Sequence, residues 1–284
     1  MAHSGAFAEE RLRSFSVAAS TLLVWDILLT LDKEVDMVWK ADWNLMKVLY
    51  LFQRYLPIVD TIFLNLQSQL GENLGAAECL RLYSASGWLM FFGFALSEVI
   101  LTLRAWAVWN RERRLTIILV VLWVMVWGPI AAFIAHFIRS IIIGPPPYAG
   151  YRGCFVYDAN TSLFLCFLLL TVWNIVVFGL MAVVGIRIRA WSSKSKLFQL
   201  IYRDGAIYYL YVFAFSALNV IAIVTFRSGY QFTLTSLERC LHSVLASRVL
   251  LNLRICARED SSWSERLTEF VMSENPPDET SNSD

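Results

Sequence analysis

The chain has 284 residues, 57% of them hydrophobic and only 17% charged, with a mean hydropathy of +0.55; ordinary soluble domains run near 45–50% apolar and about 25% charged, so a wholly soluble domain is excluded. The 24 Lys and Arg against 23 Asp and Glu leave a net charge of +1 with no basic tract, which argues against nucleic acid as a partner. Three histidines and five cysteines are too few for a zinc cluster or a disulfide-built scaffold.

A helix needs roughly 20 mostly apolar residues to cross about 30 Å of hydrocarbon. Seven segments meet that need, over 15–31, 45–66, 82–106, 115–142, 162–186, 200–225 and 232–253. Their length and continuity predict helices rather than barrel strands, which alternate and cover about 10 residues. The fourth and fifth are the clearest. The first, second and seventh contain Asp26, Arg54, Asp60, Glu238 and Arg239, and demoting one of these leaves six spans. The expectation is an all-α bundle of seven transmembrane helices over 15–254, behind a short external N-terminus, residues 1–14. Residues 1–13 lack the positive n-region of a signal peptide, so the first segment reads as retained.

Lys and Arg favour the cytoplasmic side of short loops. With the N-terminus outside, 15 of them fall inside and 6 outside, among them Arg111, Arg113 and Arg114 and the 187–203 group on the inner side. Trp39, Trp43, Trp106, Trp109 and Trp191 collect at the same inner boundary. The sequon Asn160-Thr161-Ser162 lands outside, as a glycosylation site must. Cys79, before the third segment, and Cys154, after the fourth, also lie outside, where an oxidising milieu allows a disulfide. The C-terminus is then cytoplasmic, and the protein belongs in the plasma membrane or an endomembrane.

Three stretches carry a resemblance. The first is Trp25-Asp26-Ile27-Leu28-Leu29-Thr30-Leu31-Asp32 with Glu34-Val35, then Trp39, Lys47, Arg54-Tyr55-Leu56-Pro57 and Asp60. The others are Leu103-Arg104 with Ala107 and Arg111, and Ser247-Arg248 with Leu251-Asn252-Leu253-Arg254. They resemble a fungal family of multi-spanning membrane proteins known only by a domain of unknown function, which implies the architecture and leaves the activity open. The topology also resembles that of G-protein-coupled receptors, with a cysteine at the top of the third span and another in the next outer loop. This sequence departs from their motifs. Thr102-Leu103 precede Arg104 where an acidic residue is usual, and Ser247-Arg248 and Asn252 stand in place of an Asn-Pro turn and Tyr. The seventh segment has no lysine for a retinal Schiff base.

An ionisable group near mid-bilayer costs about 2.5–3.5 kcal/mol on insertion scales and normally faces a partner inside the bundle. At about 1.5 Å per residue, Arg54 lies about 15 Å and Glu98 about 18 Å from the inner face, so the two form a candidate charge pair. It reads as a structural ion pair or as a gating or proton-linked one. Gln231, Thr235, Glu238 and His242 share one face of the seventh helix. Asp60, His136, Glu238 and His242 are the candidate ligand-binding residues of an outward-facing polar pocket; plain interhelical hydrogen bonding is the alternative. Convergence of these four on a metal is not specified by the sequence, and no cofactor or catalytic motif is present, so the expectation is a non-enzyme without cofactor. Pro57 and Gly128-Pro129 predict kinks.

Behind the last span, Cys256 is flanked by arginines and is a candidate for palmitoylation. Ser262 and Glu265 have capping-box spacing, and Trp263, Leu267, Phe270 and Val271 share a helical face. This predicts a short amphipathic helix in the tail (residues 255–284), a candidate partner-binding element, ending in disordered acidic chain. Expected partners are the lipid bilayer, a small-molecule ligand and a cytoplasmic signalling partner. A receptor- or sensor-like protein is the leading function, with a small-solute or proton-coupled transporter second and an intramembrane lipid enzyme third.

Overall fold

The computed structural model describes residues 2–69, 74–109, 111–144, 154, 156–158, 160, 162–190, 196–225 and 234–274, with side chains described over 17–63, 74–109, 111–144, 154, 156, 160, 162–186, 207–225, 234–252 and 254–255. The protein is all-helical. Seven α-helices run in order among the described residues: α1 (Ala2–Glu34), α2 (Leu45–Gln69), α3 (Ala76–Val108), α4 (Arg113–Ser140), α5 (Ser162–Ala190), α6 (Lys196–Thr225) and α7 (Thr235–Glu274). Among the described residues, four stretches are long and apolar enough to cross a membrane: Ala76–Val108, Arg113–Ser140, Ser162–Ile186 and Ile207–Thr225.

The other three helices carry charges within their apolar stretches, and the fold turns most of these inward. On α1 and α2, Asp26, Glu34, Arg54 and Asp60 are buried, while Trp25, Leu28, Leu29, Phe52 and Ile62 face outward. That is the reverse of a soluble amphipathic helix. Helix α7 is packed by α1, α2, α3 and α6, so Glu238, Arg239 and His242 are sheathed by protein on every side.

Proline shapes one of these contacts. Pro57 in α2 has no N–H, so the carbonyl of Gln53, four residues earlier, loses its intrahelical donor. Ser243 of α7 supplies the replacement, its Oγ donating to Gln53 O at 2.7 Å. The predicted break in α2 is thus a docking point for α7.

Helix α1 ends in a π-helical turn, Val35–Trp39. Its unpaired carbonyls are met by cations: Lys47 Nζ donates to Trp39 O at 3.0 Å and Ala41 O at 2.7 Å, and Arg254 donates to Met37 O at 2.8 Å.

Several boundaries differ from the sequence expectation, three of them in ways that change the architecture. Helix α1 begins at Ala2, well before residue 15. Helix α4 stops at Ser140, and Ile142, placed in the fourth segment, belongs instead to β1 (Ile142–Ile143), which pairs antiparallel with β2 (Val156–Asp158). Helix α7 does not break after Arg254 to start a separate tail helix but continues to Glu274. Neither Gly nor Pro interrupts it before Pro276, and extending a formed helix costs less than nucleating another. The side chains of Cys256, Trp263, Leu267, Phe270 and Val271, and all of 275–284, lie outside the described residues.

Candidate functional site

The buried polar residues form three groups along the bundle. The first joins α1, α2 and α7. Arg54, fully buried, donates through Nη1 to Asp26 Oδ2 at 2.5 Å and through Nη2 to Asp26 O at 3.2 Å and to Thr30 Oγ1. Its Nε lies 3.5 Å from Glu34 Oε2. Arg248 of α7 takes the other oxygen of Asp26 at 2.6 Å. Glu34 also accepts from Tyr55 Oη at 2.6 Å and from Trp39 Nε1 at 3.2 Å. Arg54 does not pair with Glu98. Equal depth gave both residues the same height but not the same direction: at that level α2 and α3 are joined by Gln53 donating to Ser97, and Arg54 faces α1.

The second group pairs Asp60 of α2 with Arg239 of α7, Nε to Oδ2, at 3.1 Å. The Arg239 guanidinium lies over the ring of Phe94, 5.7 Å from its centroid. Gly93 makes room for it, since a Cβ there would land on the guanidinium itself.

The third group is fully enclosed between α3, α5, α6 and α7. His242 places Nδ1 3.3 Å from Glu98 and Nε2 3.8 Å from Glu238. Glu238 accepts from Ser216 Oγ at 2.6 Å and from Asn219. Asn174 bridges Glu98 and Ser216, with its amide nitrogen 2.8 Å from Glu98 and its oxygen 2.8 Å from Ser216 Oγ.

A cavity of about 250 Å3 lies beside these groups, at the end of the bundle that carries the Cys79–Cys154 disulfide. It is walled by α3, α4, α5 and the first turn of α7, including Met90, Phe94, Trp127, Ile134, Phe167 and Thr235. Tyr83, also in its wall, donates to Cys154 O at 3.2 Å, which ties the cavity rim to the disulfide. The lining is almost wholly apolar. Two wall residues, Trp127 and Thr235, have polar atoms, Nε1 and Oγ1, that are buried without a hydrogen-bond partner. Phe94 touches both sides: it lines the cavity, and its ring meets His242 edge to face with centroids 5.1 Å apart.

The sequence placed Asp60, His136, Glu238 and His242 in one pocket, and the structure does not gather them. Glu238 and His242 share the third group, Asp60 is held by Arg239, and His136 contacts the Asn160 side chain, Nδ1 to Nδ2, at 3.3 Å. None of the four lines this cavity. Of the polar stripe on α7, Thr235 does line it, and Gln231 lies outside the described residues. The cavity-forming residues on α3 and α4 left no polar mark in the sequence; the one available signal was the aromatic clustering of Phe91, Phe94, Trp123 and Trp127. Cys79 and Cys154 are joined as expected, and Asn160 is exposed two residues before α5. Among the described residues no group of His, Cys, Asp and Glu is arranged to hold a metal.

Residues 14–59 match a family of unknown function (DUF6533). That segment runs from α1 through the π-helical turn into α2, and holds Asp26, Thr30, Glu34 and Arg54 of the first polar group. No curated protein and no solved structure matches the chain.

Proposed function

We propose that the chain is a seven-span membrane protein, N-terminus outside and C-terminus cytoplasmic, that acts as a receptor-like sensor of a small ligand held in the outer half of its bundle. The seven-span reading is supported by the inward pairing of charges on α1, α2 and α7, which removes the reason hydropathy alone gives for leaving those helices out of the membrane. The disulfide and Asn160 at one end, with the arginine cluster 111–114 at the other, support the orientation.

The observation that carries the sensor reading is Phe94. One ring borders the cavity, His242 and the Arg239 guanidinium at once. A ligand that moves Phe94 moves the contacts by which α7 is held to α2 and α3, and α7 runs on toward the cytoplasmic tail. A ligand can shift such a packing only by its difference in affinity for the two arrangements.

The test is ligand binding and solute flux on one reconstituted preparation, wild type beside Glu238→Gln, against a broad metabolite panel. Saturable binding without flux is expected. Flux that disappears in Glu238→Gln would overturn the sensor reading and make the third polar group a transport path.

A further inference from the structure

We infer that an anionic glycerophospholipid sits in the groove between the halves of α3 and α4 that lie away from the disulfide. Its acyl chain runs along Trp106 and Val120, and its headgroup phosphate rests on Arg111 and Arg113. This is a second site, at the other end of the bundle from the cavity of the sensor reading.

The groove has a volume of about 290 Å3. Val99, Leu103 and Trp106 line it from α3, and Thr116, Val120 and Trp123 from α4. The spacing on each helix is four and then three residues, which keeps the lining on one face. Val120 is 58% exposed, and Ile117, Val121 and Val124 beside it also face outward, so the groove opens on the apolar outer surface of α4. Its length suits one leaflet. Val99 lies nine residues before the end of α3 at Val108, about 14 Å at 1.5 Å per residue. Half of a bilayer's hydrocarbon is about 15 Å deep. The groove thus follows the course of one acyl chain, from mid-membrane to the surface.

At the surface it ends on positive charge. The turn into α4 reads Arg111-Glu112-Arg113-Arg114, three cations against one anion, and all four are exposed. No ion pair among the described residues involves any of these arginines. Buried Arg54 and Arg239, by contrast, each have a carboxylate. Arg111 is tied to the groove, because its guanidinium lies over the Trp106 ring, 5.7 Å from the centroid. Trp106 is itself fixed across the groove, its Nε1 donating to Thr116 Oγ1 at 2.7 Å. Arg113 stands three residues before Thr116 and seven before Val120, on the face of α4 that lines the groove.

These two features together select the occupant. A zwitterionic lipid fills the groove but brings no net charge to the arginines. A free phosphate meets the arginines, whose planar forks match its oxygens, and leaves the groove to other lipid. An anionic lipid uses both. In the orientation proposed above it comes from the cytoplasmic leaflet, where such lipids attract basic residues near the surface.

The test is native mass spectrometry of the full chain in detergent, with palmitoyl-oleoyl phosphatidylglycerol and phosphatidylcholine added at equal concentration. Their chains are identical and only the headgroup charge differs. Wild type should retain phosphatidylglycerol at least tenfold better. Arg111→Gln and Arg113→Gln should each lower that preference about fivefold. Val120→Trp should abolish retention by filling the groove, and Arg139→Gln, at the far end of α4, should change nothing. Equal retention of the two lipids by wild type would overturn the inference, and that comparison needs no variant to fold. A loss in Arg139→Gln as large as in Arg113→Gln would reduce the preference to bulk charge and remove the site. Retention untouched by Val120→Trp would show that the groove is not the seat. Displacement of the lipid by equimolar inorganic phosphate would make this a site for a soluble anion instead. None of these outcomes bears on the cavity at the disulfide end, so the sensor reading stands or falls separately.

Discussion

Arg54 and Arg248 hold the two oxygens of one carboxylate, Asp26, at 2.5 and 2.6 Å. The partners are not equivalent, because the Arg54 side chain is fully buried and that of Arg248 is 41% exposed. Removing a partner from a buried pair strands a charge and costs about 3–5 kcal/mol, whereas an exposed pair is worth at most about 1 kcal/mol. Asp26→Ala should therefore destabilise the bundle by several kcal/mol, Arg248→Ala by a small fraction of that. Thermal unfolding in detergent ranks them, and an Arg248→Ala as damaging as Asp26→Ala would contradict the ranking.

The Ser243 hydroxyl matters because Pro57 frees a carbonyl. Ser243→Ala should cost about 1–3 kcal/mol by leaving Gln53 O buried without a donor. In a Pro57→Ala background residue 57 regains an N–H for that carbonyl, and the cost of Ser243→Ala should largely vanish. A double-mutant cycle on unfolding temperature checks this; strict additivity would show that the two sites are independent.

The seven helices among the described residues were legible in the sequence because long, largely apolar runs read as helix, and four of them are long and apolar enough to cross a membrane. Partners were harder. Depth follows from counting residues, and it put Arg54 and Glu98 at one level; rotation about each helix does not follow from counting, and Arg54 turned to Asp26 instead. The pairing of Glu238 and His242 was readable, since four residues along one helix share a face. The cavity was not, because its wall is made of Ile, Phe and Trp on three helices, and such residues look the same whether they pack on each other, on lipid or around a space. The strands β1 and β2 were missed for a different reason: pieces of two and three residues carry no periodicity.

Gly93 exists for a neighbour. With Arg239 lying where a Cβ would project, Gly93→Ala must displace the guanidinium from Asp60 and Phe94, and overpacking of this kind typically costs about 1–3 kcal/mol. In the Asp60→Leu/Arg239→Leu background, where no guanidinium occupies that space, the same substitution should lose most of its cost. Persistence of the full cost there would place the clash elsewhere.

Glu238 is held by two buried donors, the Ser216 hydroxyl at 2.6 Å and the Asn219 amide. Glu238→Ala removes the acceptor of both and should cost more than one unmet buried donor, which is worth about 1–3 kcal/mol. Glu238→Gln keeps a carbonyl oxygen that accepts from one of them, so it should cost less than the alanine variant. Thermal unfolding in detergent ranks the two, and a glutamine variant as damaging as the alanine one would show that these hydrogen bonds do not hold α6 to α7.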